Sequence, residues 1–336
     1  MSLAACLLLT GWAAAQADES LRVDQGGLVT YNRIAPALGE VPVTVAYFRG
    51  DFRENGRAFL WPVLEPAPGE YDFSSFLDVL DEAEAQGIKV GIRLMTAHPF
   101  VGPNHPTLPP FFPPWIKSVA VERNGRTAFA PDWDDPEVQT SIRNWIVALG
   151  DAIGEHPAFA FADVGAVGWV GEWHTTVGWL NSDFMPTLEN QKRYVDFHIE
   201  AFGADRLVLQ LGDMPTAVLA HGLEQGILGV RQDCFGSNYH MRQYEQKLQV
   251  LPQLQDVIDH GLVFFEICGS NMSEWTHAVG DPNFVTQSPE EIFAIARRWK
   301  TTHYANMGAE IPDRYKDLYE ALQRDMQTYL PKPARE

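Results

Sequence analysis

Hydrophobic and polar positions along this chain switch repeatedly between two periods. Short apolar runs rich in β-branched and aromatic residues fall at 41–48, 58–64, 88–94, 162–170, 206–211, 226–233, 262–267 and 302–307. Each reads as a strand buried on both faces. Between them, apolar residues recur at helical spacing with explicit start and stop signals. Ser74 precedes Phe76, Leu77, Leu80 and Ala83, and Gly87 closes that helix. Asp135-Pro136 opens another, with Val138, Ile142, Trp145, Leu149 and Ile153 on one face. Ser288-Pro289-Glu290-Glu291 is a capping box with proline at the first helical position, and a last helix is expected over 313–329. Strand–helix alternation repeated this way predicts an α/β fold with a parallel sheet. Eight strands predict closure into a single (β/α)8 TIM-like barrel over about residues 25–330.

Two stretches depart from the regular alternation. Only about nine residues, 49–57, separate the first two expected strands, which is too few for a crossover helix. Either the first helix is missing or the first strand lies elsewhere. The long insertion at 97–133, after the third expected strand, holds Pro99, Pro103, Pro106, Pro109, Pro110, Pro113 and Pro114. It falls at the end of a barrel where active sites are built, and loops of this length commonly serve function.

Composition narrows the class. The 336 residues are 46% hydrophobic and 21% charged, the balance of a globular chain with a large core. The net charge of −19 and the lack of any Lys/Arg cluster make nucleic acid and anionic lipid poor partners and suit a neutral ligand. The N-terminus has a short apolar run ending in Ala15-Gln16-Ala17, a small-x-small cleavage pattern. This predicts a signal peptide over residues 1–17 and a secreted or periplasmic protein, although a positively charged leader is missing. No stretch is apolar enough for a membrane span. Beyond Cys6, Cys234 and Cys268 are the only cysteines, and both fall at expected strand ends. They read as one disulfide or as two buried thiols.

Two apolar runs each end on a glutamate: Ala166-Val167-Gly168-Trp169-Val170-Gly171-Glu172-Trp173-His174, and Leu262-Val263-Phe264-Phe265-Glu266. A carboxylate is rarely left inside a core. Each therefore reads as emerging into a cleft, the alternative being an ion pair with a basic neighbour. Two carboxylates on facing strand ends are what glycosidic cleavage needs, one to protonate the leaving oxygen and one to attack or to activate water.

The string Trp61-Pro62-Val63-Leu64-Glu65-Pro66-Ala67-Pro68-Gly69-Glu70-Tyr71-Asp72-Phe73, followed by Gly87-Ile88-Lys89-Val90-Gly91-Ile92-Arg93 and Pro113-Pro114-Trp115, resembles the retaining clan A glycoside hydrolases. The resemblance is nearest to the barrel domain of family 42 beta-galactosidases. It implies an acid/base at the end of strand four and a nucleophile at the end of strand seven, positions that Glu172 and Glu266 fit. Two departures stand out. The clan's asparagine before the acid/base is replaced by Gly171, and the C-terminal domains of family 42 are absent. Beta-galactosidase specificity is therefore not implied. The Gly-Glu-Trp-His variant resembles a poorly characterised group of secreted bacterial barrels.

The remaining candidates carry less. Glu65 reads as structural, closing the second expected strand against a buried basic partner. Arg93 reads as orienting a carboxylate or a sugar hydroxyl, or as half of a barrel-interior ion pair. Asp233, with Tyr239 and His240 in the loop after it, lies where the resemblance implies a tyrosine that donates to the nucleophile. Trp115, Trp173, Trp179 and Trp275 fall in strand-end loops, where an aromatic face stacks on a pyranose; Trp145 and Trp299 fall on helix faces and read as core. His98, His105, His174 and His240 share the barrel face, but no H-x-H or HExxH spacing supports a metal site. His174 and His240 are therefore read as sugar-binding, and no cofactor is expected. The expected function is an exported glycoside hydrolase acting on a neutral oligo- or polysaccharide. A catalytically silent carbohydrate-binding barrel and an inverting hydrolase are the alternatives. In the retaining mechanism Glu172 is expected to be the acid, its pKa raised by Trp169, Trp173 and the second carboxylate, with Glu266 ionised.

Overall fold

The computed structural model describes residues 26–99, 110–123, 126–177, 180–181, 184–235, 238–266, 289–306, 313 and 316–329. Eight parallel strands form one sheet: β1 (Gly27–Tyr31), β2 (Val41–Arg49), β3 (Lys89–Arg93), β4 (Phe159–Asp163), β5 (Leu207–Gln210), β6 (Gly229–Gln232), β7 (Leu262–Glu266) and β8 (His303–Asn306). Each pairs with the next in sequence, and β8 pairs with β1, so the sheet closes into a (β/α)8 barrel. Around it run α1 (Ser74–Ala85), α2 (Pro136–Ile153), α3 (Leu188–Phe202), α4 (Thr216–Glu224), α5 (Asn238–Val250), α6 (Gln253–His260), α7 (Pro289–Arg298) and α8 (Lys316–Tyr329). The expected leader, residues 1–17, lies outside the described residues.

Two elements near the N-terminus differ from expectation. Residues 58–64 are not a strand. Pro62 cannot donate to a ladder but suits a first helical turn, and Trp61–Leu64 is a short helix. The first barrel strand is instead Gly27–Tyr31, a five-residue run too short to stand out against the leader. These two errors offset each other, so the third expected strand is still β3. The connection from β1 to β2, residues 32–40, has no helix; it bends at Asn32, and Ala37–Leu38 pairs antiparallel with Val41–Pro42 at the start of β2. The first crossover helix is thus missing, but between β1 and β2 and not in the 49–57 gap where the spacing placed it. The proline-rich insertion contains an antiparallel hairpin, Ser118–Arg123 with Arg126–Pro131.

Helix α2 obeys its start signal, whereas α1 begins at Ser74 itself with Phe73 at the N-cap and no side-chain cap, and Ser288 lies outside the described residues. Asp135 caps α2, its Oδ1 accepting the Glu137 N–H at 2.8 Å, and Val138, Ile142, Trp145, Leu149 and Ile153 are all buried against the barrel. In α1, Phe76, Val79, Leu80 and Ala83 form the buried face, while Leu77 turns outward. Trp145 and Trp299 are core residues, as their helical positions implied.

The barrel interior is layered. Tyr47, Phe161 and Phe264 pack together, with Tyr47 stacked on Phe161 at 6.1 Å and edge-on to Phe264 at 5.1 Å. Gly91 makes room for this plug, since a Cβ there would lie 2.5 Å from the Phe161 ring. Above the aromatics, at the C-terminal ends of the strands, the interior turns polar. In-register pairing sets Arg49, Arg93 and Asp163 side by side on β2, β3 and β4. Inward-facing residues in a common register therefore concentrate charge at one mouth of the barrel.

Candidate active site

Arg231 on β6 is the centre of that charged layer. It is fully buried, and its guanidinium lies 2.7 Å from Asp163 Oδ2, 3.0 Å from Glu266 Oε2, 3.3 Å from Glu172 Oε1 and 3.7 Å from Asp233 Oδ1. Of these contacts the one to Glu172 has hydrogen-bond geometry; those to Asp163 and Glu266 are close ion pairs off the hydrogen-bond direction. Arg93 Nη1 lies 2.7 Å from the same Glu172 oxygen and 3.8 Å from Asp163. Tyr47 anchors the layer to the plug below, its hydroxyl donating to Asp163 at 2.8 Å. At the rim, Arg49 is paired with Asp51 and donates to the Tyr31 hydroxyl at 3.0 Å. Arg93 also donates to Tyr31, at 3.3 Å.

Glu266 is the last residue of β7, as expected. Glu172 is not at a strand end: β4 stops at Asp163, and Glu172 follows nine residues later after a short 3-10 turn, Trp169–Gly171. The chain between is folded back over the barrel mouth under strain. Ala166, Gly168, Val170, Gly171 and Trp173 all have positive φ, and for a β-branched residue such as Val170 that is a costly conformation. Hydrogen bonds to the end of β3 hold it there. Ala166 N–H donates to Leu94 O, Val170 N–H to Ala97 O, and Thr96 Oγ1 to Ala166 O.

This geometry explains the departure at residue 171. Gly171 has φ +72°, and a Cβ would meet the Leu94 carbonyl oxygen at 2.5 Å. The clan's asparagine does not fit here. Trp169 and Trp173 brace the same turn from inside. Their indole N–H groups donate to the carbonyls of Thr175 and Val164, and both rings are buried. Trp173 is therefore a core residue and not the expected sugar platform.

The three carboxyl groups of Glu172, Asp233 and Glu266 converge, each offering an oxygen within 4.8 Å of the others. Two guanidiniums already lie on this trio, so a divalent cation would meet Arg231 at the oxygens meant to bind it. A second grouping, of Asp233, Cys234 and His240, offers no thiolate because Cys234 is disulfide-bonded. The two-thiol reading is thus overturned for Cys234; Cys268 lies outside the described residues.

Proton affinities reverse the expected order. Burial pushes the Glu172 carboxyl up, but the charge of Arg93, the contact with His174 and the charges of Arg231 and Arg49 outweigh it and hold it well below the usual carboxylate range. His174 Nε2 stands 3.6 Å from Glu172 Oε2. Burial would lower the His174 imidazole, but Glu172 overcomes this and raises it. Burial pushes Glu266 up to about 8; Arg231 opposes this, while Asp233 and Glu172 add to it. Asp233 is also raised, by burial and by the charge of Glu172. Trp169 and Trp173 do not raise the Glu172 carboxyl, because the guanidinium charges dominate.

Of the other expected residues, the structure brings Arg93, His174 and Asp233 to the carboxylates, with His240 buried nearby in the field of Asp213 and Glu172. Trp115 is exposed, and no described contact ties it to the carboxylates. The side chain of Tyr239 is not among those described, and Trp179, Trp275 and His105 lie outside the described residues. Sequence reasoning missed Tyr31, Arg49, Asp163 and Arg231. For Arg49, Asp163 and Arg231 the available signal was a charged residue within or just after an apolar strand run, most plainly Arg231 in Gly229–Gln232; Tyr31 gave no such signal. Glu65 is structural, as expected, but its partners are the Trp61 indole N–H at 2.6 Å and the Gly69 N–H at 2.8 Å, not a cation.

Residues 57–107 match the family model described as Glyco_hydro_42, beta-galactosidase. Comparison with curated protein sequences finds no match. Among solved structures, xylanase 10B from Thermotoga petrophila in complex with xylobiose is similar with a TM-score of 0.51 at 13% identity, over 90% of this chain and 95% of that one. The beta-galactosidase from the psychrophilic Marinomonas ef1 is similar with a TM-score of 0.50 at 13% identity, over 88% of this chain. This chain spans 59% of that enzyme's length. The likeness is thus one of sequence over residues 57–107 and of barrel fold over most of the chain.

Proposed function

We propose that the protein hydrolyses O-glycosidic bonds with retention of configuration, using Glu172 and Glu266. Two carboxyl groups with oxygens within 4.8 Å of each other and opposite proton affinities carry this reading. Retaining enzymes hold their carboxyl groups about 5–5.5 Å apart, whereas inversion needs roughly 6.5–9.5 Å for an intervening water.

Environments that push two carboxyls apart in proton affinity assign their roles. Glu172, ionised against Arg93 and Arg231, attacks the anomeric carbon. Glu266 gives its proton to the departing glycosidic oxygen as that bond breaks. In the second step Glu266 takes a proton from water, the water oxygen bonds to the anomeric carbon, and Glu172 leaves as a carboxylate. The arginines stabilise that leaving charge. Strand order favours the opposite roles, because Glu266 ends β7; Glu172, nine residues beyond β4, fits that rule less closely. A neutral sugar suits the mouth, since Arg49, Arg93 and Arg231 are each paired with a carboxylate. Export belongs to the same proposal, supported by the apolar leader and Ala15-Gln16-Ala17; N-terminal sequencing of the mature protein checks it.

Incubation with a panel of aryl glycosides and plant and microbial glycans tests the function. Sugar release with retained anomeric configuration is expected. Binding without turnover across the panel would instead make the protein a silent carbohydrate-binding barrel.

A further inference from the structure

The layer at the barrel mouth holds one neutral side chain that the two-glutamate mechanism does not use. Tyr31 is the last residue of β1, two positions after the interior Val29, so its side chain faces inward. Its ring stands edge-on to the Tyr47 ring at 5.6 Å, which joins it to the aromatic plug. Its hydroxyl oxygen accepts from Arg49 Nη1 at 3.0 Å and from Arg93 Nη2 at 3.3 Å. Both cations are themselves fixed by the protein. Arg49 is paired with Asp51, its backbone N–H donates to Asn32 Oδ1 at 2.9 Å, and its guanidinium carbon lies 5.3 Å from the centre of the Tyr31 ring. Arg93 is locked onto Glu172 at 2.7 Å.

A phenol oxygen has two lone pairs and one proton, and a guanidinium can only donate. With both lone pairs filled, the proton is the hydroxyl's remaining hydrogen-bonding capacity. Among the described residues no acceptor receives it. The phenol keeps that proton at neutral pH: burial raises its affinity above the ordinary tyrosine range, and the charges of Arg49 and Arg93 only partly oppose this. Cationic donors on the lone pairs polarise the O–H and make it a stronger donor. Access completes the picture. Arg93, Arg231, Glu172 and Glu266 are buried, whereas on the β1–β2 side of the mouth Tyr31, Arg49 and Asp51 keep part of their surface open. A ligand that reaches the glutamates over this edge meets the Tyr31 O–H.

We propose that Tyr31 binds substrate, its O–H donating to a hydroxyl oxygen of the sugar bound at Glu172 and Glu266. The identity of the ligand rests on the hydrolysis proposed above, and the donor serves whichever glutamate attacks. A sugar hydroxyl suits the position because it can accept from Tyr31 and donate onward to a carboxylate. A site built to hydrogen-bond a substrate hydroxyl rejects the analogue that lacks it, since the protein's own polar group is then left unpaired. Tyr31 is thus a specificity-determining residue for one hydroxyl of the sugar.

Monodeoxy nitrophenyl glycosides, in the configuration the protein cleaves fastest, test this against Tyr31→Phe, which keeps the ring on Tyr47. On the intact glycoside kcat/KM should fall about tenfold. The fall should vanish on the one monodeoxy substrate that lacks the accepting hydroxyl and persist on the others, because the two partners of one bond are not additive. An equal loss on every substrate would make Tyr31 a support for Arg49 and Arg93 alone, and no loss would mean that it meets no sugar; either result overturns the proposal. If Tyr31→Phe does not fold, fluorotyrosine at position 31 keeps the hydroxyl, and its fluorine resonance should move when the free parent sugar saturates the site. An unmoved resonance overturns the proposal. In a protein that binds these glycosides without cleaving them, the same pattern read in Kd by calorimetry would sink the hydrolase proposal and leave Tyr31 as a sugar ligand. Neither cleavage nor binding would overturn both.

Discussion

The turn that carries Glu172 and the strand end that carries Glu266 present two buried carboxyls in opposite ways. Glu172 sits on a strained loop-back between Arg93, Arg231 and His174. Glu266 sits on regular β-structure beside Arg231, with Asp233 pressing a like charge against it. Both are almost fully buried, so desolvation alone would raise both. The number of cations within ion-pair distance decides the outcome. Burial makes a carboxyl expensive to ionise, and the local count of guanidiniums determines whether it ionises anyway.

Removing each carboxyl should break the comparison most severely. Glu266→Gln should lower turnover of unactivated glycosides by roughly 10²–10⁴-fold while sparing dinitrophenyl glycosides, whose leaving groups need no proton. Glu172→Gln should abolish turnover of both. Steady-state kinetics on the two substrate classes checks this, and the opposite pattern would restore the roles implied by strand order.

Arg231→Met tests the shared cation. It strands Asp163, Glu172 and Glu266 without their common partner, and breaking a buried ion pair from one side costs about 3–5 kcal/mol. A fall of that size in chemical denaturation is expected. A change under 1 kcal/mol would mean that the charged layer is hydrated and that Arg231 does not organise it.

Gly171→Asn restores the clan's residue to a position that rejects it. Asparagine tolerates the left-handed conformation better than most residues with a Cβ, so the cost comes chiefly from the 2.5 Å contact of its Cβ with Leu94 O. Lower stability together with reduced activity is expected, read by thermal melting and kinetics on the same samples. An active, equally stable variant would show that the turn relaxes.

The pH dependence of stability separates the two glutamates more finely. Glu266, raised to about 8, holds a proton in the folded protein that the unfolded chain has released. Its contribution is full below about pH 4.3 and is lost as pH rises through 8, by at most about 1.4 kcal/mol per pH unit. His198, buried and lowered to about 4, acts in the other direction between 4 and 6.5. The Glu266 slope should therefore emerge between pH 6.5 and 8, steepened by the raised His174. Glu172 contributes stability above its unfolded value that is lost only at strongly acid pH. Denaturation midpoints across this range should fall toward pH 8 in the wild type and much less in Glu266→Gln.

The barrel was legible in the sequence because apolar runs and helix caps are local signals. Its first strand was not, since the five residues Gly27–Tyr31 gain their meaning only by pairing with β2 and β8. The most recognisable string, residues 61–73, turns out to encode packing. Trp61 stacks on Trp145 at 4.9 Å, and Glu65 ties the Trp61 indole to Gly69. The likeness is carried by a segment ahead of α1 that packs Trp61 on α2, while the proposed chemistry lies in a turn that departs from the resemblance. Glu172, Glu266 and Arg93 could be found because each ends or follows an apolar run. Arg231 and Asp163 could not be ranked, because their roles depend on barrel register. The expected charge order failed for the same reason: the cations that set it come from β3 and β6, far from Glu172 in the chain.

Trapping the covalent intermediate is the most direct measurement. The protein would be incubated with dinitrophenyl 2-deoxy-2-fluoro glycosides of gluco, galacto, manno and xylo configuration, and the labelled peptide sequenced by mass spectrometry. Ionised Glu172 as nucleophile predicts a glycosyl ester on Glu172. An ester on Glu266 would contradict this account of which carboxyl holds the proton.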